Sequence, residues 1–212
     1  GGIRVGILNY TTGTNNLEKS SDKEASVYGL RYTWNSNAKN DIASLRAAGA
    51  EAVVVYMHWG EEYERTPNSS MKTLAQKLSK YGADVIIGGH PHVVQPAEWI
   101  AREDGKRTLV LYSMGNFLSD QRTRYRDSGV IFEFTLQSDE QGNISVVSPK
   151  YVPTYVWRYK ADSGYDYRVV PCGKVIENRP SSMSDEDFKR VKQVWNELKD
   201  VLGTQVAAIA AS

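Results

Sequence analysis

The chain contains three histidines, and each one follows an apolar segment that predicts a β-strand. His58 comes after the run 52–57, and His90 and His92 come after the run 83–87. Neutral imidazole binds divalent transition metals, and two histidines separated by one residue can reach two adjacent ions. The pattern therefore favours a metal site. For each histidine taken alone, a hydrogen-bonded side chain or a rigid loop is the alternative.

Three apolar runs end in polar segments that contain glycine, namely 57–63, 88–92 and 113–117. In open α/β sheets, ligands collect at the carboxyl ends of the strands, so we expect these segments to lie together. Glycine has no Cβ, which lets the backbone approach a bound ion or phosphate. The glycines expected to act in this way are Gly60, Gly88 and Gly89.

The alternation of apolar runs and amphipathic stretches predicts a βαβαβ unit followed by a β-rich part. The predicted strands are Ile3–Tyr10, Ala52–Met57, Ala83–Ile87, Thr108–Tyr112, Gly129–Leu136 and Ile144–Tyr151. The predicted helices run from Asn37 to Gly49, from a cap at Ser69 or Ser70 to about Gly82, and from Ser184 to Leu202. The last two strands predict an antiparallel hairpin.

Composition narrows the class of protein. The 212 residues suffice for one domain, or one domain with an appendage. Lys plus Arg number 26 against 25 Asp plus Glu, so the chain lacks the basic surface that nucleic acid binding needs. No apolar run approaches the roughly 20 residues that span a bilayer, so we expect that this segment does not cross a membrane. The single Cys172 excludes an internal disulfide.

Two levels of family resemblance follow from these motifs. Segment 89–92, Gly-His-Pro-His, resembles the closing glycine–histidine motif of calcineurin-like metallophosphoesterases, and His58 resembles the single histidine that precedes it. Three longer segments together resemble the CapA family, also called PgsA, of capsule and poly-γ-glutamate biosynthesis. They are 58–63, 82–96 and 112–117. The resemblance extends from about Ile3 to Leu136.

The resemblance implies an α/β fold of the metallophosphoesterase type, a β-sandwich flanked by helices in four αββα layers. This chain would be the C-terminal half of that fold. Residues 1–180 are then expected to form the C-terminal part of a CapA-like domain, and residues 181–212 a closing amphipathic helix and tail. The chain begins with Gly1 and Gly2, without Met and directly ahead of a predicted strand, so we expect an upstream segment in the parent protein.

The resemblance also implies a ligand set. His58 and His90 would bind one ion and His92 a second, the ions being Mn, Fe or Zn. Glu62 and Asn116 would lie near the pocket as substrate-binding residues. The other ligands of the superfamily, an early Asp, a second acidic or amide residue and an Asn-His pair, are not found in this sequence. Two divalent ions are thus expected in the complete domain, and whether this chain alone binds any stays open.

Two functions from different classes are compatible with this pattern. One is a metal-dependent phosphoesterase of capsule biosynthesis, in which two ions clamp a phosphoryl group and activate a bridging water. The other is a non-catalytic module that binds or exports poly-γ-glutamate, with Arg122, Arg124 and Arg126 binding carboxylates. A solvated loop is the alternative interpretation of these arginines. A mononuclear three-histidine zinc site is a third, less favoured possibility.

The expected partners follow from the same resemblance. They are an anionic small molecule or poly-γ-glutamate, together with other capsule-synthesis proteins. The family resemblance implies a location at the cell envelope, on its extracytoplasmic face, with a parent protein anchored to the membrane. Neither the substrate nor a catalytic residue is assigned by the sequence.

Overall fold

The computed structural model describes residues 2–12, 34–203 and 206–209. It has a mixed α/β fold with two sheets, which confirms the predicted class. The elements in chain order are β1 Val5–Thr11, α1 Trp34–Ala47, β2 Ala52–His58, α2 Ser69–Tyr81, β3 Val85–Gly89, β4 Ala97–Ala101, β5 Arg107–Leu111, β6 Ser128–Ser138, β7 Ile144–Ala161, β8 Gly164–Pro171, α3 Cys172–Glu177, α4 Asp185–Leu202 and β9 Ala207–Ala208.

The first sheet has the strand order β1-β2-β3-β5-β4. Strands β1, β2, β3 and β5 are parallel, and β4 pairs with β5 in the antiparallel direction. One face is covered by α1 and α2, whose Ile42 and Leu78 share a core with Val55. The other face contributes Val85 and Leu109 to a separate core. Burial on both faces explains why β2 is a continuous apolar run rather than an alternating one.

The second sheet is antiparallel, in the order β6-β7-β8, and β9 pairs with β7. Phe134 and Leu136 of β6 pack on Val85 and Leu109 of the first sheet. The helices α3 and α4 share the largest core with β7, for example through Val194. Apolar packing thus joins the two sheets to each other and α4 to the second sheet.

The predicted hairpin is confirmed, and the closing helix lies where it was predicted, with the Ser184 side chain accepting from Asp187 N as its N-cap. The predicted cap of α2 was wrong by one or two residues. Its N-cap is Asn68, whose side chain accepts from Met71 N at 2.9 Å. Gly82 ends this helix in a left-handed conformation, as expected.

The sequence interpretation missed four elements, β4, β8, α3 and the two-residue β9, and shortened a fifth. Strand β8 carries the exposed Tyr165 and several charges, so it lacks the alternation that marks a half-buried strand. Helix α3 has only six residues, too few for a helical period to show. Strand β4 has five residues of which only Ala97 is buried, so no apolar run marks it. Strand β7 continues to Ala161, since Val156 and Trp157 are buried beyond the predicted end.

Helix α4 is tied to the start of β6 by a cluster of buried charges. Arg190 donates to both oxygens of Asp127, each at 2.8 Å, and to Glu197 at 3.0 Å. We call these three residues the ion-pair cluster.

Among the helices of the described residues, none is long and apolar enough to cross a membrane.

Candidate functional site

The first sheet brings the three histidines together. His58 is the last residue of β2 and pairs in register with Gly89, the last residue of β3. The ring centres of His58 and His90 are 4.6 Å apart, and those of His90 and His92 are 6.2 Å apart. All three side chains are partly accessible. The predicted meeting of strand ends is therefore observed, and we call this group the histidine cluster.

The backbone that carries the cluster is strained. His90 has φ 99° and His92 has φ 60°, and Tyr63 of the facing loop has φ 71°. Side chains other than glycine adopt such angles at a cost of order 1–3 kcal/mol, and such residues concentrate at functional sites. Trp59 N donates to Gly89 O at 3.1 Å, and Tyr63 N donates to Pro91 O at 2.7 Å. These bonds hold the two loops in the strained geometry.

The glycines beside the cluster have a packing role that the sequence did not predict. A Cβ on Gly88 would overlap the carbonyl oxygen of Tyr112 and the indole nitrogen of Trp59. A Cβ on Gly89 would overlap the Tyr56 hydroxyl. Close packing of neighbouring strands thus requires both glycines, independently of any bound ion. Trp59 itself is core, since it is 1% exposed and donates to Tyr112 O at 2.9 Å.

Asn116 determines the tautomer of His92. Its amide nitrogen donates to the carbonyl of Arg126 at 2.8 Å and to the side-chain oxygen of Gln121 at 3.2 Å, so its amide oxygen faces His92. That oxygen lies 2.9 Å from His92 Nδ1. Because an amide oxygen only accepts, Nδ1 must carry a hydrogen, so in the neutral imidazole Nε2 keeps its lone pair. Asn116 therefore leaves His92 Nε2 free to bind a ligand.

Burial favours the neutral form of His58. It is the main cause of a lowered pKa at this imidazole, and the electrostatic interaction with His90 and His92 lowers that pKa further. Within the described part of the chain, neither His58 nor His90 has a side-chain hydrogen bond. Neutral imidazoles with unoccupied nitrogens are the form in which histidine binds metals.

Glu62, predicted as a pocket residue, lies at the rim of the cluster. Its carboxylate is 3.9 Å from His92 Nε2. The adjacent Tyr63 has no role in the sequence prediction, yet its ring stacks on His92 with centres 5.8 Å apart. The neighbouring Glu62 carboxylate is the main cause of the raised pKa of Tyr63. Only its place within the motif 58–63 could have drawn attention to Tyr63.

The three loop arginines separate in space. The guanidinium of Arg126 lies 3.2 Å from the centre of the Tyr63 ring, beside the histidine cluster. Arg122 and Arg124 instead line a cavity of about 560 Å³ together with residues of α4. Arg122 donates to Val156 O at 2.9 Å, and Arg124 donates to Glu197 at 2.8 Å. The structure therefore does not bring all predicted substrate-binding residues to one site.

The donor chemistry of the histidine cluster suits a divalent transition metal, and its ligand set is incomplete. Within residues 2–12, 34–203 and 206–209, no three His, Cys, Asp or Glu side chains are grouped so that they could hold an ion. A catalytic zinc, for example, takes three protein ligands in addition to water. The histidines present thus fit part of a metal site, and further donors would have to complete it.

Two relatives give this arrangement a family context. The chain is 42% identical over 98 residues to the "PGA biosynthesis protein CapA" of Bacillus subtilis (strain 168), a match that covers 46% of this chain. It is 37% identical over 103 residues to the "Capsule biosynthesis protein CapA" of Bacillus anthracis, covering 48% of this chain. Each match spans 24% of the relative's own length.

The family comparison covers more of the chain. The family described as "Bacterial capsule synthesis protein PGA_cap" matches residues 1–121, which include the histidine cluster and Asn116. The matched region ends before β6, so the second sheet and α4 lie beyond it. On this match, the chain belongs to the bacterial capsule synthesis protein PGA_cap family.

Proposed function

We propose that the histidine cluster is part of a metal-dependent phosphoesterase-type site in a protein of capsule or poly-γ-glutamate biosynthesis. The observation that carries the proposal is the pairing of His92 with Asn116. The pairing leaves Nε2 free, next to two further imidazoles that lack side-chain partners in the described part of the chain. In metal sites, such an outer hydrogen bond orients the imidazole and raises its basicity.

The proposed ligands are His58, His90 and His92, completed by donors from an upstream segment or a partner chain. Bound divalent ions would polarise a phosphoryl group and generate hydroxide near neutral pH. The residues of this chain would hold the imidazoles in position, through Asn116 on one side and the strained loop 90–92 on the other. The proposal includes the four-layer αββα arrangement for the complete domain.

Metal content tests the proposal. The full-length protein and this chain would be compared by elemental analysis, each as wild type and with all three histidines replaced by Ala. We expect about two ions in the full-length protein, as a two-metal site requires, and their loss in the variant. A metal-free full-length protein would refute the proposal.

A single substitution tests the role of Asn116. Asn116→Ala is expected to weaken metal binding about 10- to 100-fold in the full-length protein, as removal of an outer-shell partner does. Asn143→Ala is the matched control, because Asn143 is an exposed turn amide far from the cluster in sequence. Equal affinities of the two variants would show that Asn116 does not position His92.

A second candidate function is a polyanion-binding module, and the cavity lined by Arg122 and Arg124 favours it. Arg122 makes no ion pair within the described residues, so its charge is available to a carboxylate. The other cations there are largely compensated, since Arg124 and Arg190 both pair with Glu197. This balance makes the cavity the weaker candidate. Unchanged binding of poly-γ-glutamate after Arg122→Ala and Arg124→Ala would exclude it.

The cellular context is proposed from the family. Membership in a capsule-synthesis family supports a place at the cell envelope, on its extracytoplasmic face. Other capsule-synthesis proteins are the proposed partners. Protease accessibility of the full-length protein in intact cells would test the location.

A further inference from the structure

Two loops beside the histidine cluster are joined by reciprocal arginine–tyrosine stacking. Arg126 stacks on Tyr63 with its guanidinium carbon 3.2 Å from the ring centre. Arg65 stacks on Tyr125 at 3.9 Å. Each loop thus contributes one tyrosine and one arginine. We call these four residues the arginine–tyrosine clasp.

Both tyrosines of the clasp have left-handed backbones, with φ 71° at Tyr63 and φ 76° at Tyr125. The first loop is also anchored from below, because Gln95 Nε2, on a fully buried side chain, donates to Glu64 O at 2.7 Å. Strained residues of this kind persist where the surroundings hold them and cluster at functional sites. The clasp is therefore a positioned structure.

The clasp leaves two positive charges without acidic partners. Within the described residues, neither Arg65 nor Arg126 forms an ion pair or a side-chain hydrogen bond. Stacking on a tyrosine uses the face of a guanidinium and leaves its N–H edge open. That edge can bind two oxygens of a phosphate or carboxylate in parallel. The two arginines are thus suited to bind an anion.

The clasp is connected directly to the histidine cluster. The Tyr63 ring stacks on His92, and the carbonyl of Arg126 accepts from the same Asn116 that accepts from His92. We propose that Arg65 and Arg126 are the anion-recognition residues of the histidine site, binding the phosphoryl or carboxylate oxygens of its ligand. This inference rests on the proposed function for the identity of the ligand as a phosphoryl or carboxylate compound. The place where the anion would bind follows from the geometry of the clasp.

The experiment measures anion binding by this chain without added metal, so it does not depend on catalysis. Inorganic phosphate and, separately, glutarate are titrated while the histidine ring signals are followed by NMR. We expect one or both anions to shift the His92 signals. Arg126→Gln and Arg65→Gln should each weaken that binding about tenfold or more, since a charge-assisted hydrogen bond is lost. The anion whose binding is weakened more in these variants shows whether the ligand's oxygens belong to a phosphoryl group or to a carboxylate.

Arg107→Gln is the matched control, because Arg107 also stacks on an aromatic ring, that of Trp99 at 4.6 Å, but lies at the amino end of β5. It should leave the affinity within about twofold, since the histidine cluster lies at the opposite, carboxyl ends of the parallel strands. Arg126→Lys keeps the charge without the planar fork, and we expect it to bind with intermediate affinity. This variant also covers the case in which Arg126→Gln fails to fold.

Three outcomes would overturn the inference: no binding of either anion, equal loss in the Arg107→Gln control, or no loss in the variants of Arg65 and Arg126. None of them bears on metal content, which tests the proposed function separately. Conversely, a metal-free full-length protein that still binds phosphate through Arg126 would refute the phosphoesterase and retain the clasp.

Discussion

The histidine cluster and the ion-pair cluster both gather titratable side chains, but they leave them in opposite states. Around Arg190, every charge has a partner, and the side chains of Arg190, Asp127 and Glu197 are 14%, 5% and 12% exposed. In the histidine cluster, only His92 has a side-chain hydrogen bond within the described residues. A saturated buried cluster stabilises the fold, whereas unoccupied donors on a strained loop indicate a ligand site.

Removing Arg190 should have the largest effect. Arg190→Met leaves Asp127 buried and uncompensated, which typically costs about 3–5 kcal/mol in the free energy of unfolding. Urea unfolding measures the loss. Arg124→Met is the control, because Arg124 is 65% exposed and its pair with Glu197 should contribute less than about 1 kcal/mol. Equal losses would show that the ion-pair cluster is not structural.

A methyl group on Gly88 should have the next largest effect. Gly88→Ala forces a Cβ against Tyr112 O and the Trp59 indole, and overpacking of this kind costs about 3 kcal/mol. The indole N–H signal of Trp59 should shift in NMR spectra. Gly105→Ala, with φ 80° and open space around it, should lose only about 1–2 kcal/mol and leave that signal in place.

Replacing a histidine whose backbone is strained should raise the free energy of unfolding, whereas the two substitutions above lower it. His90→Gly relieves the left-handed conformation and should raise the free energy of unfolding by up to about 1 kcal/mol. His58 lies in a regular strand, so His58→Gly should lower the free energy of unfolding by about 1 kcal/mol. Thermal or urea unfolding distinguishes the two. A large loss in His90→Gly would mean that the histidine cluster is structural after all.

The smallest expected effect is a pH dependence. The pKa of His58 is lowered in the folded state, so the unfolded state binds a proton more readily. Stability is then complete above the ordinary histidine pKa of about 6.5 and falls as the pH drops toward the folded pKa. His58→Gln should flatten this part of the stability profile. An unchanged profile would show that His58 contributes nothing to it.

The same contrast explains how far the sequence could be interpreted. The parallel strands and the meeting of His58 with His90 were predictable, because apolar runs mark doubly covered strands and polar residues follow each of them. The ion-pair cluster was not predictable, since Asp127 and Arg190 are 63 residues apart and each resembles a surface charge. Strand β8 was missed for a similar reason, its outward residues being as polar as a loop.

The structure adds physical reasons to some predictions about the site. Gly88 and Gly89 lie beside the cluster, as expected, and strand packing against Tyr112 and Tyr56 also requires them. Asn116 lies at the site, as expected, and its effect is exerted through the tautomer of His92. Arg122 and Arg124 lie at a separate cavity, whereas Arg126 joins the cluster.

The amino-acid sequence was sufficient to predict the mixed α/β class, the hairpin and the three candidate histidines, because hydrophobic periodicity and strand-end chemistry are properties of neighbouring residues. The tertiary structure alone decided which charges are paired, which nitrogen of His92 is free and which arginine reaches the histidine cluster. Those properties depend on contacts between segments far apart in the chain. A hydrogen bond or an ion pair forms only when the fold brings both partners to the right distance. The spacing of the two residues along the sequence does not determine that distance.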